Sequence, residues 1–216
     1  MRRVTLRALE SLDAAEREAV TARLRPRCYS ARQVVFNDGD IADCVHLVVA
    51  GRFIVEATTP AGVTIALRVV HPGEFFGELA LVRDGHRRTG RVVALESAET
   101  ATLNRLDFES LRRARPGVDR LLVSALVERM VAMSDLALEL VMPVEDRIWR
   151  PIAVLLDAYG DDTIKMTQDH LAHIAGAARQ TVNRVLRQAE SDGIVELTRG
   201  GLRVIDVAAI NRRAGR

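Results

Sequence analysis

An α+β chain is predicted, with a strand-rich N-terminal half folded as a small antiparallel roll, one long helix, and a C-terminal helix-turn-helix closed by a hairpin. Three observations predict it. Six short β-rich stretches separated by turn residues fill 32–106, an apolar repeat with alternating spacings of four and three follows Pro116, and 166–206 reads helix, glycine turn, helix, strand, Gly-Gly, strand. With 216 residues the chain exceeds a single domain of roughly 100 to 150 and is too short for three. The expected divisions are 1–115, 116–142 and 143–216.

The chain opens at 6–24 with apolar residues Leu9, Leu12, Ala15, Ala19 and Val20 at helical spacing, so one or two amphipathic helices are expected against the roll. The strands of the roll are expected at 33–36, 45–49, 53–56, 64–70, 91–95 and 100–103. Asn37-Asp38-Gly39-Asp40, Ala50-Gly51, Thr59-Pro60-Ala61-Gly62 and His71-Pro72-Gly73 supply the turns.

After Pro116, Leu122, Leu126, Arg129, Met133, Leu136 and Leu140 form an apolar seam with one charge in it. Such a seam fits either a helix buried on its own domain or a two-helix coiled coil. Arg129 must then pair or reach water, because a buried unpaired guanidinium is prohibitive. Pro143 suits the first position of the next helix, where its missing N–H costs nothing. Pro151 predicts a kink there or a late helix start near Arg150, because an interior proline forfeits a helix hydrogen bond.

In 166–187, Thr167 is the expected N-cap of the first helix, with Asp169 in its first turn. Ala172 is small where two helices cross, and Gly176 can take the positive φ of a tight turn. Val182 and Val185 give the second helix a narrow apolar face, while Arg179, Gln180, Thr181, Arg184 and Arg187 occupy the others. That division suits a helix lying in the major groove of double-stranded DNA. Arginine pairs with guanine O6 and N7, and Gln180 can pair with adenine, while Thr167, Gln168 and Thr181 are placed for phosphates. A hairpin at 194–206 would form a wing with Arg199 beside Gly200 and Gly201 at its tip.

Charge agrees with this assignment. The net charge of +2 is uninformative alone, but from Thr163 onward there are nine Lys/Arg against five Asp/Glu. The basic start Met1-Arg2-Arg3 is followed by no apolar segment, and no run is long enough to span a membrane, so a cytoplasmic location is expected. Cys28 and Cys44 lie outside any zinc spacing and are expected to be buried thiols; two cysteines exclude a four-thiolate iron–sulfur cluster. His71 lacks a second haem ligand, and His170 with His173 lacks a third metal ligand, so no metal or haem is expected. No catalytic constellation stands outside the regions assigned, which argues against an enzyme.

Phe76-Gly77-Glu78-Leu79-Ala80-Leu81, followed after six intervening residues by Arg88-Thr89-Gly90, resembles the phosphate-binding cassette of the cyclic-AMP receptor/FNR family of transcription regulators. The resemblance covers nearly the whole chain in the family's domain order. It implies a double-stranded β-helix (jelly-roll) cyclic-nucleotide-binding domain, a dimerisation helix and a winged helix-turn-helix. Gly77, Glu78, Leu79, Arg88 and Thr89 would bind the nucleotide, with Glu78 accepting from the ribose 2′-hydroxyl and Arg88 and Thr89 holding the cyclic phosphate. Arg179, Gln180 and Arg184 match the family's base-reading triad. The effector implied is cyclic AMP rather than cyclic GMP, and the partners implied are a two-fold DNA operator, a second copy in a homodimer, and RNA polymerase.

The chain departs from the family pattern in four places. Met133 and Ser134 stand where adjacent Thr and Ser meet the adenine, so one base contact is lost. Gln180 replaces Glu, which changes the half-site at one base pair. Ala177 and Ala178 leave the recognition helix without a side-chain cap. The connection 159–163 is shorter than the family's polymerase-contact loop. Arg129 is expected to reach Glu78 and report occupancy to the dimer interface. DNA binding without an effector, or with a different one, is the alternative.

Overall fold

The computed structural model describes residues 9–62, 64–82, 87–159 and 162–215. It divides into two compact units, residues 1–57 with 68–133, and residues 58–67 with 134–216. Of the sequence expectations, residues 6–8 of the opening helical stretch, 83–86 of the cassette, and Gly160 and Asp161 of the short connection lie outside the described residues.

In the first unit, α1 (Ala14–Thr21) starts at a capping box: Asp13 accepts from the Glu16 amide while the Glu16 side chain accepts from the Asp13 amide. Two four-stranded antiparallel sheets follow. One has the order β1 (Arg25–Tyr29), β8 (Ala98–Asn104), β3 (Cys44–Ala50), β6 (Phe75–Phe76). The other runs β2 (Val34–Phe36), β7 (Arg91–Ala94), β4 (Phe53–Thr58), β5 (Thr64–Val70). Phe53, Ile54, Leu47, Val48 and Phe76 are fully buried, giving the roll an aliphatic and aromatic core. A second cluster joins Leu9, Leu12 and Val20 to Phe108 and Leu111 of α2 (Arg105–Ala114) and to Leu121, Leu122 and Ala125 of α3 (Asp119–Glu139).

Three expectations for this unit are corrected. β1 carries no alternating pattern and contains Pro26, yet it pairs with β8; as an edge strand it tolerates a missing amide donor. Its Cys28 is exposed, whereas Cys44 is buried as expected. The seam of α3 is divided. Leu122 is buried in the unit's own core and Leu126 packs against it, while Met133 and Leu140 of the expected seam are exposed, together with Val123, Val127, Met130 and Val131. The first part of the expected seam is thus buried on its own unit, and Met133 and Leu140 further along are exposed.

In the second unit, α4 (Val144–Tyr159) begins after Pro143, whose carbonyl accepts from the Arg147 amide, and runs through Pro151 without a late start. Its Ile148, Trp149 and Ile152 are buried with Ile164, Leu186 and Ile210. That burial explains why the helix persists through a proline that costs about 3 kcal/mol. β9 (Thr163–Ile164), β10 (Val195–Thr198) and β11 (Gly201–Val204) form a three-stranded sheet. The hairpin loop is Arg199-Gly200, because Gly201 pairs with Thr198 inside the strand. A Cβ on Gly201 would sit 2.2 Å from the Ile164 carbonyl oxygen, which restricts that position to glycine.

Candidate ligand site and nucleic-acid interface

Gly77 links β6 to a 3₁₀ turn (Glu78–Leu81) and has φ of +79°, the left-handed region that glycine reaches at no steric cost. A Cβ there would lie 2.5 Å from Nη1 of Arg88. The glycine therefore serves both the turn and the arginine beside it. Arg88 is held at its backbone by the turn after β2, its amide donating to Asp40 O and its carbonyl accepting from the Gly39 amide.

The Arg88 side chain is 4% exposed. Its Nη1 donates to Cys44 O at 2.8 Å and to Gly77 O at 3.4 Å, its Nη2 reaches Cys44 Sγ at 3.5 Å and Asp43 at 3.8 Å, and its Cζ lies 4.1 Å from the Phe36 ring centre. Phe36 belongs to an aromatic group in which His46 stacks on Phe76 at 4.6 Å. Burial, and then the Arg88 charge, lower the His46 pKa to about 3, so the imidazole is neutral. Burial, followed by Asp43, raises the Cys44 pKa, which makes it a thiol rather than a thiolate.

Glu78 is 1% exposed and is approached by two arginines. Arg129 of α3 donates from Nη1 to Oε1 at 3.1 Å, and Arg68 of β5 places Nη2 4.0 Å from Oε2 while donating to the Phe75 carbonyl. Glu78 Oε2, Arg68 Nε and Arg88 Nε are buried without hydrogen-bond partners. Most buried polar atoms are bonded, so these three leave two donors and one acceptor open to a polar partner at and beside the cassette. An anion with a neighbouring hydroxyl fits this mixture of two arginine donors and one carboxylate acceptor.

Of the residues expected to bind the nucleotide, Gly77, Glu78 and Arg88 are brought together, and Leu79 and Thr89 are half-buried beside them in sequence. Met133 and Ser134 are exposed on α3, one turn beyond Arg129. Sequence reading missed Arg68, Phe36 and Cys44. The signal for Arg68 was a lone charge inside the apolar strand 64–70.

The helix-turn-helix has α5 (Gln168–Ala175), capped by Thr167 Oγ1 accepting from the His170 amide at 3.2 Å and ended by Gly176 at φ +54°. The next helix, α6 (Arg179–Ser191), starts at Ala178 with no side-chain cap. Val182, Val185, Leu186 and Ala189 bury one face of α6, while Arg179, Gln180 and Arg184 are exposed and Thr181 is half-buried. Gln168 Oε1 accepts from Asn183 Nδ2 at 2.8 Å, which leaves its amide hydrogens for another acceptor. The wing is tied to α6 by Glu190, whose Oε1 accepts from the Leu197 amide at 2.9 Å, and Arg199 is exposed at its tip. Arg179 and Arg184 meet carboxylates, Asp169 at 3.1 Å and Glu145 at 3.6 Å.

Among the described residues no helix is long and apolar enough to cross a membrane, and no three metal-binding side chains cluster. Residues 26–115 match the family model of the cyclic nucleotide-binding domain, and residues 147–213 match that of the Crp-like helix-turn-helix domain. The cyclic AMP receptor protein of Thermus thermophilus is 32% identical over 190 residues, covering 87% of each chain. The CRP-like cAMP-activated global transcriptional regulator of Mycobacterium tuberculosis is 24% identical over 204 residues, covering 91% of each. In fold, the c-di-GMP responsive global regulator CLP of Xanthomonas campestris matches with a TM-score of 0.78 at 22% identity, over 90% of this chain and 100% of that one. With a cyclic-nucleotide-binding roll at one end and a Crp-like DNA-binding domain at the other, the chain belongs to the CRP/FNR family of transcription regulators, whose members are not enzymes.

Proposed function

We propose that this regulator is a cyclic-AMP-responsive homodimer that binds a two-fold DNA operator in the cytoplasm. The observation that carries the reading is the trio of unpartnered buried atoms on Glu78, Arg68 and Arg88 beside the left-handed Gly77. In this reading Arg88 and Thr89 hold the cyclic phosphate, Gly77 and Leu79 shape the turn, Glu78 accepts from the ribose, and Met133 and Ser134 face the base. Residues 1–115 receive the nucleotide, 116–142 dimerise through the exposed Val123, Val127 and Met130 stripe, and 143–216 bind DNA.

Arg179, Gln180 and Arg184 then read base edges, and Thr167, Gln168, Thr181 and Arg199 contact phosphates. Two such helices about 34 Å apart would meet successive major grooves. Nucleotide shifts the dimer toward its DNA-competent state only by its differential affinity for the two states. RNA polymerase is the expected partner on DNA.

Calorimetry with cyclic AMP and cyclic GMP, with Arg88→Ala as control and operator binding measured beside it, tests the reading. Heat with wild type that Arg88→Ala abolishes is the expected result; absence of heat with both nucleotides rejects it. The second reading, DNA binding without effector or with another effector, is favoured by the Arg88 guanidinium already donating to Cys44 O and stacking on Phe36. It predicts full operator affinity with no nucleotide present.

A further inference from the structure

We infer that Arg68 is a second ligand of the ribose hydroxyl and, with Glu78, makes the site selective for ribonucleotides over 2′-deoxy analogues. The inference rests on the cyclic-nucleotide reading above and assigns a residue that the cassette itself does not contain.

Arg68 lies on β5, outside the Gly77–Thr89 segment, and its side chain is 11% exposed. One end of its guanidinium is anchored, with Nη2 donating to the Phe75 carbonyl and lying 4.0 Å from Glu78 Oε2. Nε, the next nitrogen of the same planar group, is buried and has no partner, and neither has Glu78 Oε2. The other carboxylate oxygen is already engaged by Arg129 at 3.1 Å. What remains is one donor and one acceptor, on two groups whose nearest atoms are 4.0 Å apart.

A hydroxyl satisfies both with one atom, because it donates one hydrogen and accepts on its lone pairs, and on a cyclic nucleotide the ribose 2′-hydroxyl is such a group. A bare anion would satisfy the arginine and be repelled by the carboxylate. An ammonium or amide N–H would satisfy the carboxylate and be repelled by the arginine. A methylene, as in a 2′-deoxyribose, leaves both buried atoms unpaired, which is the arrangement that discriminates most strongly against a missing hydroxyl. Arg68 is also fixed before the ligand arrives, since the Phe75 carbonyl holds its head group in place.

The test compares cyclic AMP with 2′-deoxy cyclic AMP, and cyclic GMP with its 2′-deoxy analogue, by calorimetry on the full chain. Wild type is expected to bind the ribo form more tightly, and Arg68→Met is expected to shrink the ribo-to-deoxy ratio roughly tenfold, the effect of one hydrogen bond to a charged group. Arg68→Lys, which keeps charge and stem but lacks Nε–H in that place, should shrink the ratio similarly and serves if Arg68→Met does not fold. An unchanged ratio, with both forms weakened equally, overturns the inference and leaves an ordered water as the bridge, with nucleotide binding still established. No binding of either nucleotide by wild type overturns this inference together with the function proposed above.

Discussion

Arg129 on α3 donates to Glu78 on the roll over 3.1 Å, joining residues 51 apart in sequence through a carboxylate that is 1% exposed. The pair connects the helix with the exposed apolar stripe to the turn that carries the cassette. A charge so buried is tolerated only while its partner stays.

Arg129→Ala should therefore destabilise the protein by about 2 to 3 kcal/mol, less than a fully buried pair because the arginine side chain is 22% exposed. Urea unfolding gives that number. The same variant should lose the dependence of operator affinity on nucleotide, and unchanged dependence would remove Arg129 from the coupling.

Gly77→Ala places a Cβ 2.5 Å from Arg88 Nη1 at a backbone angle of +79°. Left-handed backbone costs a non-glycine residue about 1 to 2 kcal/mol, and Arg88 must move as well. A small drop in melting temperature with a loss of nucleotide affinity of about tenfold or more is expected by thermal shift and calorimetry, where 1.4 kcal/mol is tenfold. Wild-type affinity would mean that Arg88 does not hold the ligand.

Asp169→Asn releases Arg179 from a carboxylate 3.1 Å away, and Glu145→Gln releases Arg184. Both pairs are exposed, so stability should change by less than about 1 kcal/mol. Binding to DNA of random sequence should tighten by several-fold at low salt, with a steeper salt dependence, because two phosphate-repelling charges are gone. Fluorescence anisotropy across a salt series reads both quantities, and superimposable curves would count against the idea.

His46 has its pKa lowered to about 3 by burial and by Arg88, so the folded protein resists a proton that the unfolded chain accepts near 6.5. Stability from this group is present above pH 6.5 and is lost as pH falls, by about 2 kcal/mol between pH 6.5 and 5. A His46→Gln variant should show a shallower acid limb in chemical unfolding over that window. Parallel limbs would place the acid sensitivity elsewhere, for instance at His71, whose pKa burial also lowers.

Val127→Asp introduces a charge into the exposed stripe of α3 without touching the Leu122 face that packs inward. Sedimentation should show monomer where wild type is dimeric, with little change in unfolding midpoint of the monomer. A dimer that persists would place the interface on another surface.

Local chemistry made much of the protein legible in its sequence. Val182 and Val185 mark the buried face of α6 by spacing alone, Gly176 sits where the turn needs positive φ, and Thr167 caps the helix that it precedes. Each of these depends on residues a few positions apart. The strands of the roll announced themselves through β-branched runs between turn residues, except two: β1, whose exposed Arg-Pro-Arg pattern carries no period and is held by pairing with β8, and the two-residue β6, Phe75-Phe76, which is held by β3.

What only tertiary structure decided is which partner each charged or amphipathic group meets. The apolar repeat of α3 fits two faces equally well, and the Leu9, Phe108 and Leu111 cluster chose Leu122 for the interior, leaving Val123 and Val127 outside. Pro151 stays inside a helix because Trp149 and Ile152 beside it are buried by distant residues. Arg68 and Arg129 converge on Glu78 from separate elements, and that convergence leaves one donor and one acceptor without partners. Hydrogen-bond satisfaction is a property of the assembled interior, and no local pattern in the chain encodes it.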